Sequence, residues 1–144
     1  MVASPFHVLA VEDEGADAEF IERIGAQSPL AASFRLLRSA EEARVYLNGE
    51  EPYADRTRFP VPNLVLLDLK LRRMSGLDLL RWIRQTPELR SMPVVVLSGT
   101  ANATDLNRAY ELGIDAYIVK SIDLKGLAAT LSGVLVTLAS KRAN

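Results

Sequence analysis

Leu64-Val-Leu-Leu-Asp68 is four consecutive apolar residues ending abruptly on a carboxylate. An unbroken apolar run this short reads as a strand buried on both faces, as in a parallel sheet covered by helices. The pattern recurs at His7-Val-Leu-Ala-Val11, Val94-Val-Val-Leu97 and Ala116-Tyr-Ile-Val119, and more weakly at Phe34-Arg-Leu-Leu37. Between these runs, apolar residues return at helical spacing. Segment 16–27 sets Ala16, Phe20, Ile24 and Gln27 along one face, and 40–47 carries Ala43 and Leu47. Segment 77–85 carries Leu77, Leu80, Ile83 and Arg84, and 103–112 carries Leu106, Ala109 and Tyr110 before Gly113 as a stop. Segment 123–139 carries Leu124, Leu127, Leu131, Val134, Leu135 and Leu138, with Val136 outside that stripe. Strict alternation of strand and helix predicts right-handed crossovers and an α/β sandwich of five strands and five helices.

The totals agree with one domain over residues 1–144, its core spanning about 6–139. A hydrophobic fraction of 49% is ample for one core, and a net charge of −1 argues against a nucleic-acid or membrane-surface binder. The absence of cysteine excludes disulfides, thiolate catalysis and Cys-based zinc sites. No apolar run approaches the roughly 20 residues that span a bilayer, and Met1-Val-Ala-Ser-Pro-Phe-His7 lacks the features of a signal peptide. A cytoplasmic protein is expected. One connection, 48–63, is unusually long and holds Gly49, Pro52, Pro60 and Pro62. Such loops are either functional or loosely ordered.

Function is read from the strand ends, because ligands of open α/β sheets sit beyond the carboxyl ends of the strands. Glu12 and Asp13 follow the first run, Asp68 the run at 64–67, Ser98 the run at 94–97 and Lys120 the run at 116–119. Alone, each is a turn former, a cap or a surface lysine. Together they put acids, a hydroxyl and a lysine at the ends of four parallel strands. Carboxylates gathered at one edge repel unless a cation is present, and Mg²⁺, which prefers oxygen ligands and retained waters, suits that role. A carboxylate beside Mg²⁺ can attack phosphorus to give an aspartyl phosphate, with Lys120 and Ser98 answering two phosphoryl oxygens. Asp78 and Asp123, near helix starts, read as capping or dipole residues, and the lone His7 as an ordinary strand-start residue.

Four segments carry a family resemblance: Val8-Leu-Ala-Val-Glu-Asp-Glu14, Leu66-Leu-Asp-Leu-Lys-Leu71 with Met74-Ser-Gly76, Pro93-Val-Val-Val-Leu-Ser-Gly99 and Gly113-Ile-Asp-Ala-Tyr-Ile-Val-Lys120. The chain resembles the receiver domains of two-component response regulators. The resemblance implies a flavodoxin-like (βα)5 fold with a doubly wound parallel sheet of order 2-1-3-4-5. It implies a signalling receiver rather than an enzyme, taking a phosphoryl group from a sensor histidine kinase onto Asp68. Glu12, Asp13, Asp68 and the backbone carbonyl of Lys70 would form the Mg²⁺ site, with Glu12 acting mainly through water. Ser98 takes the switch hydroxyl position, Tyr117 the aromatic switch position, Lys120 the lysine position, and Gly76 the tight-turn glycine. Lys70 and Thr100 would border the path of a hydrolytic water. Two residues depart from the family pattern: Ser121 stands where a proline after a cis bond is usual, and Arg72 where proline is common. The loop at 48–63 and Val11-Glu-Asp-Glu-Gly-Ala-Asp17 resemble the stand-alone regulators of phytochrome-type kinases.

Other readings remain to be weighed. A pseudo-receiver would keep the fold as a protein-interaction module without phosphorylation. A flavodoxin-like cofactor enzyme would call for a phosphate-cradling loop after the first strand, where Val11-Glu-Asp-Glu14 sets negative charge instead. A DNA-binding output is not expected, since Lys141-Arg142 is too little basic surface. Residues left over from the last helical stripe, with Tyr110, predict a self-complementary patch and a homodimer through the face at 103–139.

Overall fold

The computed structural model describes residues 6–27, 33–99 and 102–120, and helical residues at 129, 130, 132–134, 136–138 and 140. Five strands, β1 (His7–Val11), β2 (Ser33–Leu37), β3 (Leu64–Leu67), β4 (Val94–Ser98) and β5 (Ala116–Val119), form one parallel sheet of order β2-β1-β3-β4-β5. Four helices connect them: α1 (Gly15–Gln27), α2 (Ala40–Leu47), α3 (Gly76–Gln85) and α4 (Ala103–Glu111). The expected (βα)5 flavodoxin-like order is the observed one. The segment 121–128, with Asp123, Leu124 and Leu127, lies outside the described residues, as do Thr100 and Ser121.

The strand runs alternate between two cores because successive side chains leave a strand on opposite faces. Leu9, Val11, Val65, Leu67, Val94 and Val96 face α2, α3 and α4. Val8, Ala10, Leu64, Leu66, Val95 and Leu97 face Ile21 and Ile24 of α1, with Val134 and Leu138 packed on the same cluster. The central strands β3 and β4 are buried along their whole length, and each Val or Leu so buried contributes about 1.5–3 kcal/mol. This double burial explains why those segments read as continuous apolar runs.

Local signals set the helix limits. Ser39 and Ser75 cap α2 and α3 by accepting from the backbone N–H of Glu42 and Asp78, and Asn102 caps α4 through Thr104 and Asp105. Asp78, in the first turn of α3, pairs with Arg81 rather than capping. Gly113 takes φ +75° just past α4, the left-handed conformation that favours glycine. His7 is tied to Ser33 and Asn63, an ordinary strand-start residue as expected.

One sequence expectation needs correction. Ala16 is exposed; α1 buries Ala18, Ile21 and Ile24, a face rotated from the one anticipated, because Ile21 and Ile24 are the side chains that pack on Val8, Ala10, Leu64 and Leu66 of the sheet. Tyr110 is exposed, as the expected surface patch requires, while Ala109 of α4 is fully buried. The long connection is well packed. Tyr53 and Phe59 stack against Tyr46 of α2, Arg35 lies over Phe59, and Arg56 donates to the carbonyls of Leu47 and Phe59. Aromatic contacts of this kind fix a loop that composition alone leaves open.

Arg84 sits among the apolar positions of α3 for a different reason. Its guanidinium donates to the carbonyls of Leu112, Arg90, Met92 and Gly113, at 2.6, 3.1, 2.8 and 2.9 Å. One planar cation thereby joins the α3–β4 turn to the C-terminus of α4, where a positive charge also answers the helix dipole. Arg84→Met, which keeps the stem and removes the donors, is expected to lower stability by about 2–3 kcal/mol in urea unfolding, since the carbonyls lose charged partners. A loss indistinguishable from that of an exposed substitution would contradict this role.

Candidate functional site

The sheet delivers the anticipated residues to one edge through its own hydrogen-bond ladder. Glu12 N–H donates to Leu37 O at 3.0 Å, Asp68 N–H to Val11 O at 3.1 Å and Lys120 N–H to Ser98 O at 2.7 Å. The backbone of each is therefore fixed by a neighbouring strand. Ser98, expected just after β4, is its last residue and is fully buried.

Lys120 closes the cluster. Its ammonium donates to Asp68 Oδ2 at 2.9 Å, to Asp17 Oδ2 at 2.8 Å and to Glu12 Oε1. The Lys120, Asp68 and Glu12 side chains are 13%, 7% and 1% exposed, whereas Asp17 is 43% exposed. Burial alone would lower the Lys120 pKa; the bonds to Asp17, Glu12 and Asp68 outweigh it and raise the pKa above the ordinary lysine value. Glu12 is pushed up to about 7, first by burial and then by the neighbouring Asp68, against the pull of Lys120. One ammonium is thus too little positive charge for these carboxylates, which is the condition a divalent cation relieves.

Backbone amides orient the remaining carboxylate oxygens. Asp68 Oδ1 accepts from Lys70 N–H at 2.9 Å, Asp13 Oδ2 from Arg72 N–H at 2.7 Å and Glu12 Oε2 from Glu14 N–H at 3.2 Å. Among the described residues, no three Asp, Glu or His side chains converge as a metal cage by themselves. Lys120 draws Glu12 and Asp68 together, while Asp13 leans toward the loop at 69–72. The anticipated donor set of two carboxylates and a backbone carbonyl, completed by water, suits an oxygen-loving cation that keeps part of its hydration shell. A cleft of about 510 Å³ opens beside this edge, lined by Asp13, Glu14, Lys70, Arg72, Ser75 and Asp105 among others. The Lys70 side chain is exposed at its rim.

The Ser98 hydroxyl is buried with no hydrogen-bond partner of good geometry among the described residues. Tyr117, half-buried on β5, has its phenol near Ser98; burial raises the Tyr117 pKa although Ser98 pulls it down. A buried hydroxyl whose nearest polar neighbour is a single phenol has capacity left to donate to an acceptor brought to this edge. Asp17 was not singled out from the sequence as a site residue. Its signal was its position, four residues past Asp13 in the first turn of α1.

Residues 8–132 match the response regulator receiver domain family. The chain belongs to this family. It is thus a signalling receiver domain rather than an enzyme in the ordinary sense. It is 35% identical over 130 residues to response regulator Rcp1 of Synechocystis sp., covering 90% of this chain and 86% of Rcp1. The phosphorylated cyanobacterial phytochrome response regulator RcpA superposes with a TM-score of 0.81 at 35% identity, over 91% of each chain. The Mn²⁺-bound form of Rcp1 superposes with a TM-score of 0.79 at 35% identity, over 90% of this chain and 91% of the other. No helix among the described residues is long and apolar enough to cross a membrane.

Gly76 decides how closely α3 can approach the receiver's acidic edge. A Cβ there would overlap the Asp68 carbonyl oxygen and the Leu69 Cα, backbone atoms that cannot step aside. Gly76→Ala is expected to cost about 1–3 kcal/mol of stability by overpacking. It should also shift the backbone amide resonances of Asp68 and Leu69; unchanged shifts and unchanged stability would contradict the close approach.

Proposed function

We propose that this receiver accepts a phosphoryl group from a sensor histidine kinase on Asp68, with Mg²⁺ held by Asp13, Asp68 and the Lys70 backbone carbonyl and Glu12 acting through water. The observation that carries the reading is the Asp68–Lys120 contact at 2.9 Å at the same sheet edge as the buried Ser98 hydroxyl. When bound, the cation would lower the charge repulsion between the carboxylates and an incoming phosphoryl group. Asp68 supplies the nucleophilic oxygen: its bond to phosphorus forms as the phosphorus–nitrogen bond of the phosphohistidine breaks, and the imidazole leaves with the electron pair. Lys120 turns from the Asp68 carboxylate to a phosphoryl oxygen, and Ser98 donates to another. Filling the Ser98 hydroxyl frees Tyr117 to reorient, which biases a two-state surface on α4 and β5.

Acetyl phosphate with Mg²⁺ is expected to add one phosphoryl mass to the protein and none to Asp68→Asn. Equal labelling of both would overturn the assignment, and labelling of neither would favour the pseudo-receiver reading. Asp13→Ala is expected to weaken Mg²⁺ binding about tenfold or more, measured by calorimetry; an unchanged affinity would place the metal elsewhere.

The similarity to the phytochrome response regulator RcpA supports a phytochrome-type kinase as the donor, and a cytoplasmic location belongs to the same proposal. Phosphotransfer from such a kinase, faster than from an unrelated histidine kinase, is the corresponding test. A homodimer through the face at 103–139 is supported by the exposed Tyr110, Val119 and Val136, which are 52%, 44% and 49% accessible. Sedimentation with Mg²⁺ and beryllofluoride, a phosphoryl mimic, should show a dimer; a monomer with and without the mimic, well above micromolar concentration, would leave a heterologous partner as the output.

A further inference from the structure

We propose that Asp17 is a positioning residue for Lys120, holding the ammonium so that one of its donors stays aimed at the phosphoacceptor. The inference rests on Asp68 being that acceptor. An ammonium has three donors, and here all three are taken, by carboxylates from three elements: Glu12 beyond β1, Asp68 beyond β3 and Asp17 in α1. Glu12 and Asp68 are anchored to the sheet ladder through their own backbones. Asp17 alone comes from a helix, and at 43% exposure it lies on the solvent side of the cluster.

That placement matters because the lysine stem is long and loses rotamer entropy when held in one geometry. In the phosphorylated state the Asp68 oxygens become part of an acyl phosphate, and the donor that met Asp68 must meet a phosphoryl oxygen instead. Glu12 would then be the only remaining tether if Asp17 were absent, and a flexible side chain on one tether swings. With Asp17 in place, the ammonium is held from two sides and only its third donor is free to follow the chemistry. Asp17 also brings a negative charge toward the phosphoryl group, at 2.8 Å from the ammonium that screens it. The bond and the charge therefore act in opposite directions, and an asparagine, which keeps the acceptor oxygen without the charge, separates them.

The test follows phosphoryl gain from acetyl phosphate with Mg²⁺ by intact mass, in wild type, Asp17→Ala, Asp17→Asn and each combined with Lys120→Ala. Misplacement of a group near the reacting atoms costs rate, so Asp17→Ala is expected to be slower by about tenfold, with Asp17→Asn within about twofold of wild type. In the Lys120→Ala background, Asp17→Ala should have no further effect. Wild-type rates in Asp17→Ala would overturn the proposal, as would an equal loss in the Lys120→Ala background, because Asp17 would then not act through the lysine. A second readout needs neither metal nor phosphodonor. The Lys120 ammonium of the metal-free protein should give a proton–nitrogen NMR signal protected from solvent exchange, lost in Asp17→Ala and retained in Asp17→Asn. A signal unchanged in Asp17→Ala overturns the positioning role even if Asp68 is phosphorylated. Its loss supports the role even if Asp68 is not, so the two readings fail separately.

Discussion

The ammonium of Lys120, extended from the end of the edge strand β5 to carboxylates at the ends of β1 and β3 and on α1, is the contact around which the receiver's functional edge is arranged. Bringing Glu12 and Asp68 together in a nearly dry place costs desolvation and mutual repulsion, and a single cation among them offsets only part of this. The residue of that imbalance is visible in Glu12, whose proton affinity is pushed up by burial and by Asp68. The edge is therefore left wanting positive charge on the carboxylate side, and the Ser98 hydroxyl has capacity left to donate to an acceptor. The chemistry proposed for the edge supplies both.

Rigid placement comes from the layers beneath. β3 and β4 are buried on both faces, so their ends cannot drift, and the ladder carries on past them into Asp68 and Lys120. Gly76 lets the start of α3 press directly against the Asp68 backbone. On the side of α4 and β5 the burial is thinner. α4 buries only Ala109; Asn102 caps its start, and Arg84 binds the carbonyls of Leu112 and Gly113 at its end. A helix that buries one residue along its length is suited to respond to a change at Ser98 and Tyr117, since locally less stable elements are the ones that move.

The sheet was legible in the sequence because each central strand is an unbroken apolar run, and the edge cluster was legible because each run ends on a polar residue. Asp68, Lys120, Ser98, Glu12 and Asp13 all fall on that rule. Asp17 does not, since it lies on a helix, and only the three-dimensional return of α1 over the sheet brings it to Lys120. Arg84 appeared as one more position in a helical stripe; its four carbonyl partners come from the turn that follows α3 and from the end of α4, 28 residues further on. The exposed Ala16 has the same origin: periodicity gives a face, while neighbouring elements decide which side of it is covered. The order of the 48–63 loop depends on Tyr46, Tyr53 and Phe59 meeting across the loop, which Pro and Gly counts do not report.

The central claim is that a phosphoryl group on Asp68 supplies the acceptor that both Lys120 and Ser98 are placed to meet. A crystal structure of the protein with Mg²⁺ and beryllofluoride tests it most directly. The account predicts fluorine atoms within hydrogen-bond distance of both the Lys120 ammonium and the Ser98 hydroxyl, with the cation on Asp13, Asp68 and the Lys70 carbonyl. A beryllofluoride adduct on Asp68 with Ser98 still unpartnered and Lys120 still on the Asp68 carboxylate would contradict it.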